Sequence, residues 1–228
     1  MTASLALWPL ALLAALLPAA ASISAAWLSM RWGLVESCNP FVEGCVSVSR
    51  AARSEPPVHL FRALMLPGAT LQGLVWWCAA AWLARELGPR ASLRWLAGLG
   101  VMAALALVLY ATFLGTEGQV YRWLRQYGTV VYFGFTCICL LLAGGAVQKL
   151  AAAGRLHLPR ALEYAMLALA GTLVALGIGN AIVAALFEDT IKARVENVTE
   201  WWGSLLFVLG FAALAAMWKR LDVRLRFA

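Results

Sequence analysis

Charge is scarce in this 228-residue chain: 13% of the residues are Asp, Glu, Lys or Arg, about half of the roughly 25% found in an ordinary soluble domain. Such a shortage excludes a soluble globular class. Histidine is scarcer still, with only His59 and His157, so a structural zinc site, which wants four nitrogen or sulfur ligands, is not expected. The chain has no H-E-x-x-H, H-x-x-E-H or G-x-S-x-G and no phosphate-cradling glycine loop. It also has no internal repeat, no low-complexity tail and no polar stretch long enough for a separate domain. What fills the chain instead is apolar: 63% hydrophobic residues and 11 tryptophans.

A spanning helix needs about 20 mostly apolar residues. Six such segments stand out, at roughly 5–29, 61–84, 95–115, 129–150, 161–187 and 200–218. The expected fold is all-α: a polytopic membrane protein, a single bundle of six transmembrane helices with both termini cytoplasmic. The first segment contains "PAAAS", which resembles a cleavage site, yet it lacks a basic leading region and its apolar run is too long for a signal peptide; it is expected to remain as a helix. Sidedness follows from the basic residues. Arg85, Arg90, Arg94, Lys149, Arg155, Arg160, Lys219, Arg220, Arg224 and Arg226 fall in short segments on the side of the termini, with only Glu86, Glu163 and Asp222 among them. The eight basic and eight acidic residues of the opposite face cancel. Dense arginine and lysine mark the cytoplasmic side, and the excess suits anionic lipid rather than nucleic acid.

The longest segment a bilayer would not tolerate is the loop 30–60, which includes "CNPFVEGCVSVSRAARSEPP" at 38–57. On the extracytoplasmic side disulfides persist, and Cys38 and Cys45 are the two of five cysteines outside the apolar segments. Pro40 and Gly44 between them supply a turn. A structural disulfide is the expected reading; a redox-active pair would more naturally show a tight C-x-x-C. Cys78, Cys137 and Cys139 read as small apolar packing residues. Ser47 and Ser49, near His59, can be imagined as a nucleophile with a base, but serines in such loops more often cap and turn the chain. The "NVT" at 197–199 fits a glycosylation sequon that abuts the membrane and is discounted.

Glu200 stands at the bilayer boundary beside Trp201 and Trp202, where a carboxylate usually pairs with something. Arg50, Arg53, Arg62, Arg122 and Arg125 are the partners on its side. Two arrangements fit: an ion pair that pins helix ends, or a lipid-headgroup pocket in which guanidinium forks meet phosphate. The candidate site is Arg50, Arg53, Glu117, Arg125 and Glu200, braced by Cys38 and Cys45, with no metal and no cofactor. Within the bilayer Gln72, Asn180 and Thr136 are expected to point inward and bond between helices. Gly171, Gly177 and Gly179 would allow close helix approach or local unwinding.

The outer loop "CVSVSRAARSEPPVHLF" and a last helix entered through "ENVTEWW" resemble the Frag1/DRAM/Sfk1 family of six-helix membrane proteins. "VSVS", "SEPPVHLF" and Glu200-Trp201 carry the likeness. It implies a role with membrane lipids, in remodelling or in organising them, and no agreed catalytic mechanism. The expected partners are membrane lipids, with a protein partner in the membrane as the alternative, and no nucleic acid. The composition looks bacterial, so a multi-pass protein of the inner membrane is expected. A membrane-embedded lipid acyl- or headgroup-transferase and a small-solute transporter are the other functions weighed.

Overall fold

The computed structural model describes residues 4–226. Nine elements follow in order: β1 (Ser4–Ala6), α1 (Trp8–Arg31), α2 (Val48–Ala51), α3 (Pro57–Leu87), α4 (Ala91–Phe113), α5 (Gln119–Ala152), α6 (Arg160–Leu186), α7 (Asp189–Arg220) and β2 (Arg224–Arg226). All but α2 and the two short strands are helices long and apolar enough to cross a membrane. The protein is an all-α, multi-pass integral membrane protein.

Two of these helices start well before the apolar segments do. α5 begins at Gln119 and α7 at Asp189, through stretches expected to be loops. Hydropathy detects only the part of a helix that needs hydrocarbon. Here good helix formers such as Arg, Gln, Lys and Glu continue the backbone hydrogen bonding through polar turns.

Each long helix packs on its neighbour in the chain, and α7 returns to pack on α1, which closes the six into a ring. Helices in lipid gain nothing from hydrophobic transfer when they meet, so close approach through small residues decides the contacts. Gly100 of α4 lies directly against the Trp76 side chain of α3. Gly210 of α7 would place a Cβ 2.8 Å from Leu140 of α5. Gln72 donates from Nε2 to the Ala14 carbonyl at 3.2 Å, so it bonds α3 to α1 as expected. Thr136 is buried, yet its hydroxyl has no partner among the described residues.

α6 is the outlier. Only Met166 and Ala170 are buried along it. The expected close approach at Gly171, Gly177 and Gly179 does not occur, because all three face away from the bundle and no atom lies within 4 Å of a Cβ built there. Nor is the helix unwound; it runs unbroken from Arg160 to Leu186.

The two ends of the chain meet. β1 and β2 pair antiparallel, Ser4 opposite Arg226, and Leu7 N donates to the Val223 carbonyl at 3.1 Å. Lys219 sits over the Trp8 ring, 5.0 Å from its centroid. At the same end Arg155 forms an ion pair with Glu86 at 3.5 Å.

Candidate functional site

The long polar loop does not hang in solvent; it is fastened to α7 along its polar start and the first turn of its apolar stretch. Gly44 takes φ +63° and presses against the Arg194 carbonyl, so only glycine fits there. Asn197 Nδ2 donates to the Gly44 carbonyl at 2.8 Å, Trp201 Nε1 to the Val46 carbonyl at 2.9 Å, and Trp202 Nε1 to the Phe41 carbonyl at 3.0 Å. Ser49 N donates to Glu200 Oε1 at 3.1 Å. Asn197, Glu200 and Trp201 recur at i, i+3 and i+4, which puts them on one face of α7. On the other side Ser29 of α1 donates to the Ala51 carbonyl at 2.6 Å. Cys38 and Cys45 are disulfide-bonded, with Cα atoms 6.5 Å apart. Phe41, inside that cross-linked turn, packs against Trp201 and Trp202 with ring centroids 5.3 and 5.5 Å away. The loop is a docked lid.

Ser47 is the N-cap of α2 and accepts from Arg50 N at 3.1 Å. Glu200 accepts from the next free amide of the same turn. Its carboxylate therefore meets backbone N–H at a helix start, where negative charge is favoured. Among the described residues no lysine or arginine forms an ion pair with it.

The arginines are engaged elsewhere. Arg125 Nη1 donates to the carbonyls of Phe113 at 2.9 Å and Thr116 at 2.6 Å. Arg62 donates to the Leu114 carbonyl. The last carbonyls of a helix have no partner within it, and a cation there is doubly suited; these two side chains finish α4. Arg50 is exposed on α2, at the rim of a surface recess with Glu36, Glu43, Arg194 and Asn197. Arg53 and Glu117 are exposed. His59 lies 3.7 Å from Glu55 rather than beside a serine, while the Ser47 and Ser49 hydroxyls are 3.1 Å from each other.

Beneath the lid, α1, α3, α4, α5 and α7 enclose a cavity of about 90 Å³. Phe41, Val48 and Trp201 roof it, and Phe61, Met65, Leu107 and Phe207 form its apolar walls. Its polar lining is Glu200, Gln72, Tyr110, Tyr132, Thr129, Ser22 and Ser204. Of the five charged residues expected to share a site, Glu200 alone lines it. The lining residue most open to the outside is Ile23 of α1, 60% exposed, with Ala19 of α1 and Leu205 and Val208 of α7 partly exposed, so the cavity reaches the surface along the α1–α7 seam.

Sequence reasoning did not find Tyr110 and Tyr132, which sit inside long apolar runs. The signal was the residue type: a phenol within an apolar span, buried here in both cases, needs somewhere for its hydroxyl. No family model, curated protein or solved structure matches this chain.

Proposed function

We propose that this protein binds membrane lipid from the extracytoplasmic leaflet and thereby takes part in organising or remodelling it. The observation that carries the reading is the cavity under the lid: apolar walls with several polar side chains among them, reaching the surface between two spanning helices. With the basic end and the termini in the cytoplasm of a bacterial inner membrane, the α1–α7 seam below Trp201 and Trp202 faces acyl chains rather than water. A lipid then enters sideways, beneath a lid held by the disulfide and four hydrogen bonds to α7. The resemblance of "VSVS", "SEPPVHLF" and Glu200-Trp201 to the Frag1/DRAM/Sfk1 family supports the same reading, because that family acts on membrane lipids.

Native mass spectrometry of the gently purified protein tests it. A retained lipid class that is lost in Ser204→Leu, which fills the cavity without touching the lid's anchors, is the expected result. Bare protein, or an unselective lipid mixture unchanged by Ser204→Leu, would sink the proposal.

A further inference from the structure

The sequence invites a phosphate-binding pocket, but the cavity is built for a different head group. Among the described residues Glu200 is the one carboxyl group that lines it, and no arginine, lysine or histidine does. Arg53, whose charge reaches Glu200, is exposed outside the cavity, and Arg125 is occupied with the Phe113 and Thr116 carbonyls. A phosphate entering here would meet no basic side chain on the cavity wall, so its charge would be left unpaired in a poorly solvated site.

The unpartnered groups point the other way. Gln72 is 3% exposed and anchored through Nε2 to the Ala14 carbonyl, which leaves Oε1 as a buried acceptor without a partner. The Tyr132 hydroxyl lies within hydrogen-bonding reach of this amide. Glu200 Oε1 takes the Ser49 amide, and a carboxylate has further lone pairs to offer. Tyr110, Thr129, Ser22 and Ser204 add hydroxyls. Such a lining is rich in acceptors and in groups that both donate and accept. A buried acceptor left unmatched is costly, and a ligand that supplies a proton relieves it. Size narrows the choice further: an apolar cavity of about 150 Å³ takes up benzene, so about 90 Å³ admits a head of few heavy atoms while the chain runs out along the α1–α7 seam.

We propose that the cavity selects a membrane amphiphile with a small, uncharged, hydroxyl-bearing head, which donates to Gln72 Oε1 and exchanges hydrogen bonds with the neighbouring Tyr132 hydroxyl, and that it discriminates against phosphate-headed lipids. The proposal rests on the lipid-binding reading above and names the class of lipid.

A matched pair of probes tests it: 1-oleoylglycerol and 1-oleoylglycerol 3-phosphate, identical except that one hydroxyl carries a phosphate. Each is added at equal mole fraction to the delipidated full-length protein in nanodiscs, and retention is read by native mass spectrometry. The expected result is a preference of at least about tenfold for the uncharged probe, the scale of one well-made hydrogen bond with its partner left unmatched in the competitor. Gln72→Leu should remove most of that preference. Tyr132→Phe, which leaves the Gln72 bond to α1 in place, should lower retention of 1-oleoylglycerol by several-fold and serves if Gln72→Leu fails to fold. Equal retention of the two probes, or preference for the phosphate, overturns the inference and leaves lipid binding standing. If neither probe nor any native lipid is retained, the lipid-binding reading falls as well.

Discussion

Removing the Cys38–Cys45 bond should loosen the lid and leave the ring of helices intact. The cross-link closes a turn of eight residues, Cys38 to Cys45. In the chain-entropy treatment a loop that short restricts the undocked segment by about 8 cal/mol/K, or about 2.5 kcal/mol at 25 °C. Two of the lid's four bonds to α7, those at Phe41 and Gly44, belong to residues inside that turn, so the constraint acts on the docked form directly. Converted at 1.36 kcal/mol per decade, the lid's open population should rise about 70-fold. Hydrogen exchange of the Cys38→Ser/Cys45→Ser protein in nanodiscs measures this. The amides of Ser49, Ala51 and Ala52, which are hydrogen-bonded in the docked lid, should exchange faster by about that factor. Amides in the middle of α4 should not change, because none of their contacts involve the lid. An unchanged rate at Ser49 would show that the disulfide does not hold the lid, and equal acceleration throughout would show that lid and bundle are one cooperative unit.

Other substitutions separate packing from surface. Trp201→Phe keeps the ring against Phe41 but strands the Val46 carbonyl, itself 1% exposed; a loss of about 1–3 kcal/mol should appear as faster lid exchange, and an unchanged lid would refute the anchoring role. Gly100→Ala drives a methyl into Trp76 and should lower stability by about 1–3 kcal/mol, visible as a fall in Tm, whereas Gly171→Ala meets no atom and should hold or raise Tm through helix propensity of up to about 1 kcal/mol. Equal effects of those two glycine changes would contradict the packing described. Arg125→Ala should fray the end of α4 at a cost of about 1–3 kcal/mol, and Arg125→Lys should restore part of it, since both bonds leave one nitrogen, Nη1, and an ammonium carries enough N–H groups to serve both carbonyls; hydrogen exchange around Phe113 reads both.

The helices were legible because their signal is local: each apolar run states its own length. The cysteine pair and Glu200 were legible for the same reason, being polar groups at positions where a bilayer edge leaves few alternatives. The fate of the arginines was not. Arg62 and Arg125 end on backbone carbonyls at and just beyond the end of α4, and a carbonyl that lacks a partner at a helix end leaves no mark in residue identity. The polar starts of α5 and α7 were read as loops because helix continues there without hydrophobic need. The exposure of α6 was hidden for a related reason: a helix that faces lipid and one that faces protein are both apolar, so the glycines of α6 looked like contact points.

The return of α7 to α1 sets an order of assembly. α1 is synthesised first and its second neighbour last, with four spanning helices between them. Until α7 inserts, the face of α1 that it covers has only lipid or an insertion factor against it, and β1 waits without the strand it pairs with. The lid is in the same position, since every one of its α7 anchors is made long after the lid itself has been synthesised. The disulfide can form early; docking cannot. With the lid on the extracytoplasmic side, as proposed above, chains arrested before Asp189 should therefore carry a crossed, oxidised and protease-sensitive loop, and protection should arrive in one step with the final helix.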